Sequence, residues 1–386
     1  MRIAYITETY PPELNGVSLT VERTVHHLRA QCHAVELIRP RQSGDGATPP
    51  AGDWLTGGCR IPMYPDLRFG WARPAALQQR FEAGRVELVH LATPGPLAWA
   101  ALAAARSLGL ATTSDFRTNF HQYSRHYGLG LLAPAVLAGL RRFHNRTQCT
   151  FVPTEALRRE LAAEGFERLA VVGRGVDTDR FAPARRNAAL RAGWGAADDD
   201  PVLLYVGRLA AEKNVDLALR AFDAVRRERP GARMVLVGDG PVRERLEAAH
   251  PDARFAGTLR GDVLAATYAS ADVFLFPSLS DTFGNVTLEA LASGLPVVAY
   301  DTAAAAEHVV PGQSGLLGPP GDEAAFIAAA CALAVRSPAE RAALRDGAVA
   351  AARRARWGEV LGRFEACLQA TLDAVQEASS DVAAAA

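Results

Sequence analysis

Short apolar runs alternate with stretches of helical periodicity along almost the whole chain. Arg2–Ile6, Val35–Ile38, Val86–Leu91, Gly109–Thr113, Cys149–Pro153 and Leu169–Val172 each read as a strand. Between them, Val17, Val21, Val25 and Leu28 recur at helical spacing, as do the residues of 97–107 and 154–164. The alternation restarts at Pro201–Val206 and continues through Met234–Val237, Arg254–Gly257, Asp272–Pro277, Pro296–Ala299 and Gly315–Leu317. Helical patterns at 215 onward, 262–269, 323–335, 338–355 and 357–377 separate or follow them. Strand and helix in alternation predict parallel sheets with crossover helices. The Gly, Pro and Ser-rich stretch 41–58 reads as a surface loop, and 61–71 as a loop lining a crevice.

At 386 residues the chain is long enough for two cores. The expected division is a first α/β domain at 1–182, a charged linker at 183–200 and a second α/β domain at 201–356. A last helix at 357–378 packs back toward the first domain, and a frayed tail follows at 379–386. The fold class is α/β, two doubly wound Rossmann-like domains facing across a cleft. Hydrophobic residues make up 49% and charged residues 22%, the balance of a globular enzyme. Lys+Arg and Asp+Glu both count 42, so bulk charge gives a nucleic-acid partner no support. Five widely spaced cysteines form no metal-ligand spacing and read as reduced thiols, which points to a cytoplasmic protein. No apolar run approaches the ~20 residues of a bilayer span. Any membrane contact is then peripheral. Its candidate is 124–146, where Leu129, Leu132, Val136, Leu137, Leu140 and Phe143 recur beside Arg125, Arg141, Arg142 and Arg146. Basic charge next to an apolar stripe can dock on anionic lipid, although the same pattern serves a core-facing helix.

Candidate chemistry gathers at strand ends. After Asp272–Pro277 the chain carries Asp281, Gly284, Asn285, Val286 and Glu289. A helix starting at 284–286 presents free N–H groups to a phosphate, with one carboxylate before it and one on its inner face. A diphosphate flanked by two polyol rings needs this set of groups. After Pro201–Val206 come Arg208 and Lys213, and Lys213 is the only lysine in the chain. Two cations on one short loop call for an anion. Gly16 ends the loop after the first strand, where a backbone can approach a phosphate closely, but no GxGxxG fingerprint accompanies it. The polar segment Ser114–Tyr123 ends another strand at the edge where such sheets place ligands.

These pieces in this order resemble the retaining nucleotide-sugar glycosyltransferases of family 4, which have the GT-B architecture. The resemblance rests on Pro11-Pro-Glu-Leu-Asn-Gly-Val17, Gly207-Arg-Leu-Ala-Ala-Glu-Lys213, Val237-Gly-Asp-Gly-Pro241, Asp281 and Glu289 eight positions apart, and Gly315-Leu-Leu followed by Pro-Pro-Gly-Asp322. It implies that Arg208 and Lys213 hold the donor diphosphate and stabilise the leaving group without a metal or other cofactor. It implies that Glu289 takes the ribose hydroxyls and Asp281 the hydroxyls of the transferred sugar. The Gly284, Asn285 and Val286 backbone and Gly16 approach the diphosphate, and the base lies near Gly257–Gly261. Two positions depart from the family's pattern. Asp281 stands where Glu is usual. Arg117 occupies the usual His position, with His121 four residues on, so either can be the contact to the donor sugar. His90-Leu-Ala-Thr-Pro-Gly-Pro-Leu97 and Arg117–Tyr123 resemble the glycolipid mannosyl- and sulfoquinovosyltransferase branch. That branch implies a lipid-linked or glycan acceptor, GDP-mannose as the favoured donor, and a place on the inner face of the membrane. A non-catalytic nucleotide-sugar-binding subunit and a GT-B epimerase are the alternatives.

Overall fold

In the computed structural model the chain divides into two units. The first comprises Met1–Val172 and Leu361–Ala386, and the second Gly173–Val360. The structure describes all residues except 14–15, 43, 47, 62–63, 117–132, 280, 282 and 385–386.

The first unit is built on an eight-stranded sheet. Its strands are β1 (Arg2–Ile6), β2 (Ala34–Pro40), β3 (Asp53–Ile61), β4 (Tyr64–Trp71), β5 (Leu88–Leu91), β6 (Ala111–Asp115), β7 (Cys149–Val152) and β8 (Leu169–Val171). The spatial order is β4-β3-β2-β1-β5-β6-β7-β8. All neighbours are parallel except β3 and β4, which form an antiparallel hairpin. That hairpin corrects the loop readings of 41–58, from Asp53 on, and of 61–71. Glycines at 57, 58 and 70 masked the strand pattern: a Cβ would press on Trp71 at Gly57, on the Phe69 carbonyl and Pro40 at Gly58, and on Leu97 and Pro40 at Gly70. Helices Gly16–Ala30, Pro74–Ala83, Pro96–Ser107, Ala133–His144 and Glu155–Ala163 occupy the connections. Val21, Val25 and Leu28 of the first helix are buried, as its periodicity requires.

The second unit carries β9 (Val202–Val206), β10 (Arg233–Val237), β11 (Arg254–Phe255), β12 (Val273–Phe276), β13 (Val297–Tyr300) and β14 (Gly315–Gly318). Their order is β11-β10-β9-β12-β13-β14, all parallel. This is the doubly wound order, which reverses between β9 and β12. Ligands of such sheets bind beyond the carboxyl ends of the strands at that reversal. In the first sheet the equivalent reversal falls between β1 and β5.

Residues 183–200, read as a linker, belong to the second unit and contain a short turn at Pro183–Arg185 and helix Ala188–Gly193. Their charges are anchors. Asp272, at the start of β12, accepts from Arg191 Nη1 at 2.7 Å, Arg186 Nη2 at 3.1 Å, Arg345 Nη2 at 2.9 Å and the Val202 N–H at 3.0 Å. Burial alone would push the Asp272 carboxyl up, but Arg191 and Arg186 bring it below its ordinary value. Its contribution is therefore present above the unfolded carboxylate pKa and is lost as pH falls through the lowered folded one. Asp272→Asn leaves three guanidiniums around a neutral amide. We expect it to cost about 3–5 kcal/mol, read as a lower urea midpoint at neutral pH.

Helix Trp357–Ala384 runs past residue 378, where the sequence suggests a frayed tail. From Leu361 it counts with the first unit. Phe364 packs edge-on against buried His90, ring centroids 5.1 Å apart, and Glu365 pairs with His27 at 3.1 Å and His33 at 2.8 Å. Among the described residues no helix is long and apolar enough to cross a membrane. Helix Ala133–His144, inside the proposed lipid-docking stretch, buries Leu140 and Phe143 and exposes Val136, Arg141 and Arg142. Residues 124–132 of that stretch lie outside the described residues.

Candidate active site

Beyond β9 the chain turns sharply at Gly207, and the Tyr205 hydroxyl donates to the Arg208 carbonyl at 3.1 Å. A short 3-10 turn, Ala211–Lys213, leads to Asn214, whose φ of 53° starts helix Val215–Glu228. Asn tolerates this left-handed conformation better than most residues. The loop after β10 is tied to this turn along its backbone. Gly207 N–H donates to the Val237 carbonyl at 3.0 Å, Leu209 N–H to the Asp239 carbonyl at 2.9 Å and Val242 N–H to the Leu209 carbonyl at 3.2 Å. A Cβ at Gly238 would lie 1.9 Å from the Gly207 carbonyl oxygen, so this contact exists only with glycine. Arg208 thus stands on a braced backbone, and Lys213 follows it one short turn later.

Each cation has an acid partner. Arg208 pairs with Glu212 one turn on, at the surface. Lys213 Nζ donates to Asp281 Oδ1 at 2.9 Å, with the two side chains 17% and 23% exposed. Asp281 comes from the loop after β12, so the reversal point brings together residues 68 positions apart in sequence. Among the described residues, Asp281 Oδ2 and Asn285 Oδ1 are buried without a hydrogen-bond partner. Buried polar oxygens normally have one, and a ligand hydroxyl would supply it.

Gly284, with φ of 84°, precedes helix Asn285–Ala292. Its N-cap is a glycine without a capping side chain, so among the described residues the first N–H groups of the helix are left for an anion. Asn285 and Val286, expected at this start, occupy its first two positions and are half-buried. Glu289 lies one turn in and accepts from the Tyr268 hydroxyl at 3.0 Å. Burial pushes the Glu289 carboxyl up from 4.5 to about 7, against the Tyr268 bond and the charge of Arg180, which pull it down.

Tyr268 is the residue the sequence reading passed over. It is fully buried on helix Gly261–Ser270, its ring 5.7 Å from both Phe181 and Phe274. The available signal was a tyrosine on an otherwise small-residue helix, since a buried phenol needs a partner for its hydroxyl.

Of the remaining expected residues, Gly16 is the first residue of helix Gly16–Ala30 in the other unit, and its carbonyl accepts from Thr20 Oγ1 at 2.7 Å. Arg117 and His121 lie outside the described residues. At the reversal point of the first sheet, just past β1, Glu8 is buried. It accepts from the Leu97 N–H at 2.8 Å, and burial pushes its carboxyl up to about 7.

Two Rossmann-like parallel-sheet units, the second presenting cations and carboxylates at its reversal point, make up a GT-B glycosyltransferase fold. A solved structure of sucrose-phosphate synthase from Thermosynechococcus elongatus superposes with a TM-score of 0.73 at 19% identity, covering 97% of this chain and 100% of that one. The family model described as Glycosyltransferase Family 4 matches residues 14–180, and that described as Glycosyl transferases group 1 matches 200–335. A GDP-mannose-dependent alpha-mannosyltransferase of Mycobacterium tuberculosis is 38% identical over 334 residues, 83% of this chain and 85% of that protein. A sulfoquinovosyl transferase of Arabidopsis thaliana is 32% identical over 68% of this chain and 52% of that protein. The chain belongs to glycosyltransferase family 4.

Proposed function

We propose that the protein transfers a hexose, mannose from GDP-mannose in the first instance, to a hydroxyl of a glycolipid or cell-envelope glycan, with retention of anomeric configuration. The observation that carries the donor site is the set of Arg208, Lys213 and the helix start at Asn285 with glycine at its N-cap, all on loops leaving the reversal point of one parallel sheet. The mannosyl donor and the lipid-linked acceptor rest on the names of the relatives.

In this reading the donor diphosphate lies on Arg208 and Lys213, Glu289 accepts from the ribose hydroxyls and Asp281 from the sugar. The acceptor oxygen bonds to the anomeric carbon on the face the diphosphate leaves. The carbon–oxygen bond to the phosphate breaks with its electron pair on the phosphate, which takes the acceptor's proton. Fixed cations stabilise the charge that develops there, without a metal. Arg117 or His121 supplies the further contact to the donor sugar. Exposed Val136 with Arg141 and Arg142 would rest on anionic lipid, keeping the enzyme peripheral on the inner face of the membrane.

A thermal-shift panel of GDP- and UDP-sugars tests the donor. The matching sugar nucleotide at 100 times its dissociation constant stabilises the protein by about 2.7 kcal/mol. The expected order is GDP-mannose first, and a panel with no shift at all would remove the donor-site reading.

A further inference from the structure

We propose that Asp281 competes with the donor's diphosphate for Lys213, and so weakens the hold on nucleoside diphosphate once the sugar has gone. The proposal rests on the donor-site reading above. In the free protein the Lys213 ammonium is already held, at 2.9 Å, by Asp281 Oδ1. Lys213 is the chain's only lysine, and the other cation of the loop, Arg208, is held by its own neighbour, Glu212. A phosphate arriving at Lys213 therefore meets a carboxylate on the same point charge, and one ammonium then serves two anions.

The cost of that crowding depends on what else Asp281 can hold. Its second oxygen is buried and has no partner among the described residues. When a sugar is attached to the diphosphate, its hydroxyls can donate to Asp281 and replace what Lys213 withdraws. When the sugar has been transferred, nothing on the ligand donates to Asp281, and the remaining diphosphate faces an uncompensated negative charge. The pair thus favours sugar nucleotide over bare nucleoside diphosphate by a repulsive contact, a common route to specificity. A carboxylate is required for this, and its length is secondary.

Calorimetric titration of GDP and UDP into wild type, Asp281→Asn and Asp281→Glu tests it. Asp281→Asn should tighten the nucleoside diphosphate roughly three- to fivefold, the upper part of the scale of one partly exposed ion pair. Product inhibition should strengthen in step while kcat falls. Asp281→Glu should stay within about twofold of wild type, because it keeps the charge. A gain in affinity cannot come from a damaged fold. Should Asp281→Asn not fold, Asp281→Ser carries the same expectation. Unchanged or weaker binding in the neutral variant, with wild type binding normally, overturns the competition and leaves the donor site standing. If none of the proteins binds either diphosphate, the donor-site reading falls and this proposal with it.

Discussion

Lys213→Ala lowers kcat by about 10²–10³-fold in a steady-state transfer assay at saturating donor. The leaving diphosphate gains charge as its bond to the sugar breaks, so a fixed cation is worth more in the transition state than in the ground state. Lys213 is well placed to act this way because its ammonium is already held in place by Asp281, at 2.9 Å, and needs little reorganisation. Truncation also frees Asp281 from its partner, yet the effect on rate keeps its sign, since an unpaired carboxylate beside the phosphate opposes the same charge. Arg208→Ala is expected to fall on the same scale. The double variant should lose less than the product of the two, because both act on one group. Near-normal kcat in either single variant would remove these residues from the chemistry.

Glu289→Ala raises the donor KM by roughly 10–100-fold, the value of hydrogen bonds to a charged acceptor. The wild-type enzyme should show the same dependence through pH. With its carboxyl near 7 in the free enzyme, Glu289 is a good acceptor for ribose hydroxyls only above that value. Donor kcat/KM therefore rises with pH to a plateau past about 7. The Tyr268 hydroxyl donates to the carboxylate and stabilises its charged form, so Tyr268→Phe moves this limb to higher pH. A merely structural role for Tyr268 would lower activity without moving the limb, and a flat profile in wild type would separate Glu289 from donor binding.

Strands with continuous apolar runs, such as Val202–Val206 and Val273–Phe276, were legible because both faces of a parallel sheet are covered. The hairpin of β3 and β4 was not, because its glycines answer to close neighbours and carry no alternation. The linker reading of 183–200 failed for a related reason. Charged residues look solvated in sequence, whereas Arg186 and Arg191 are spent on a buried aspartate some 80 positions away, as the 2.7 Å contact of Arg191 shows. At the site, the residue types and spacing named Arg208, Lys213, Asp281 and Glu289. Which of them touch was a matter of strand order. The Lys213–Asp281 contact follows from β9 lying beside β12, and the Tyr268–Glu289 bond from two helices that flank β12 in sequence.

The single lysine has a practical meaning for chemistry done on this protein. Apart from the α-amino group of Met1, which lies 3.1 Å from His33 Nδ1, Lys213 holds the only primary amine of the chain. An acylating label thus finds one side chain, mostly shielded and ion-paired, in the middle of the proposed donor site. Its modification rate becomes an occupancy gauge that needs no engineered cysteine, and the same fact makes immobilisation through lysine a poor choice, since the tether would be planted where the nucleotide has to lie.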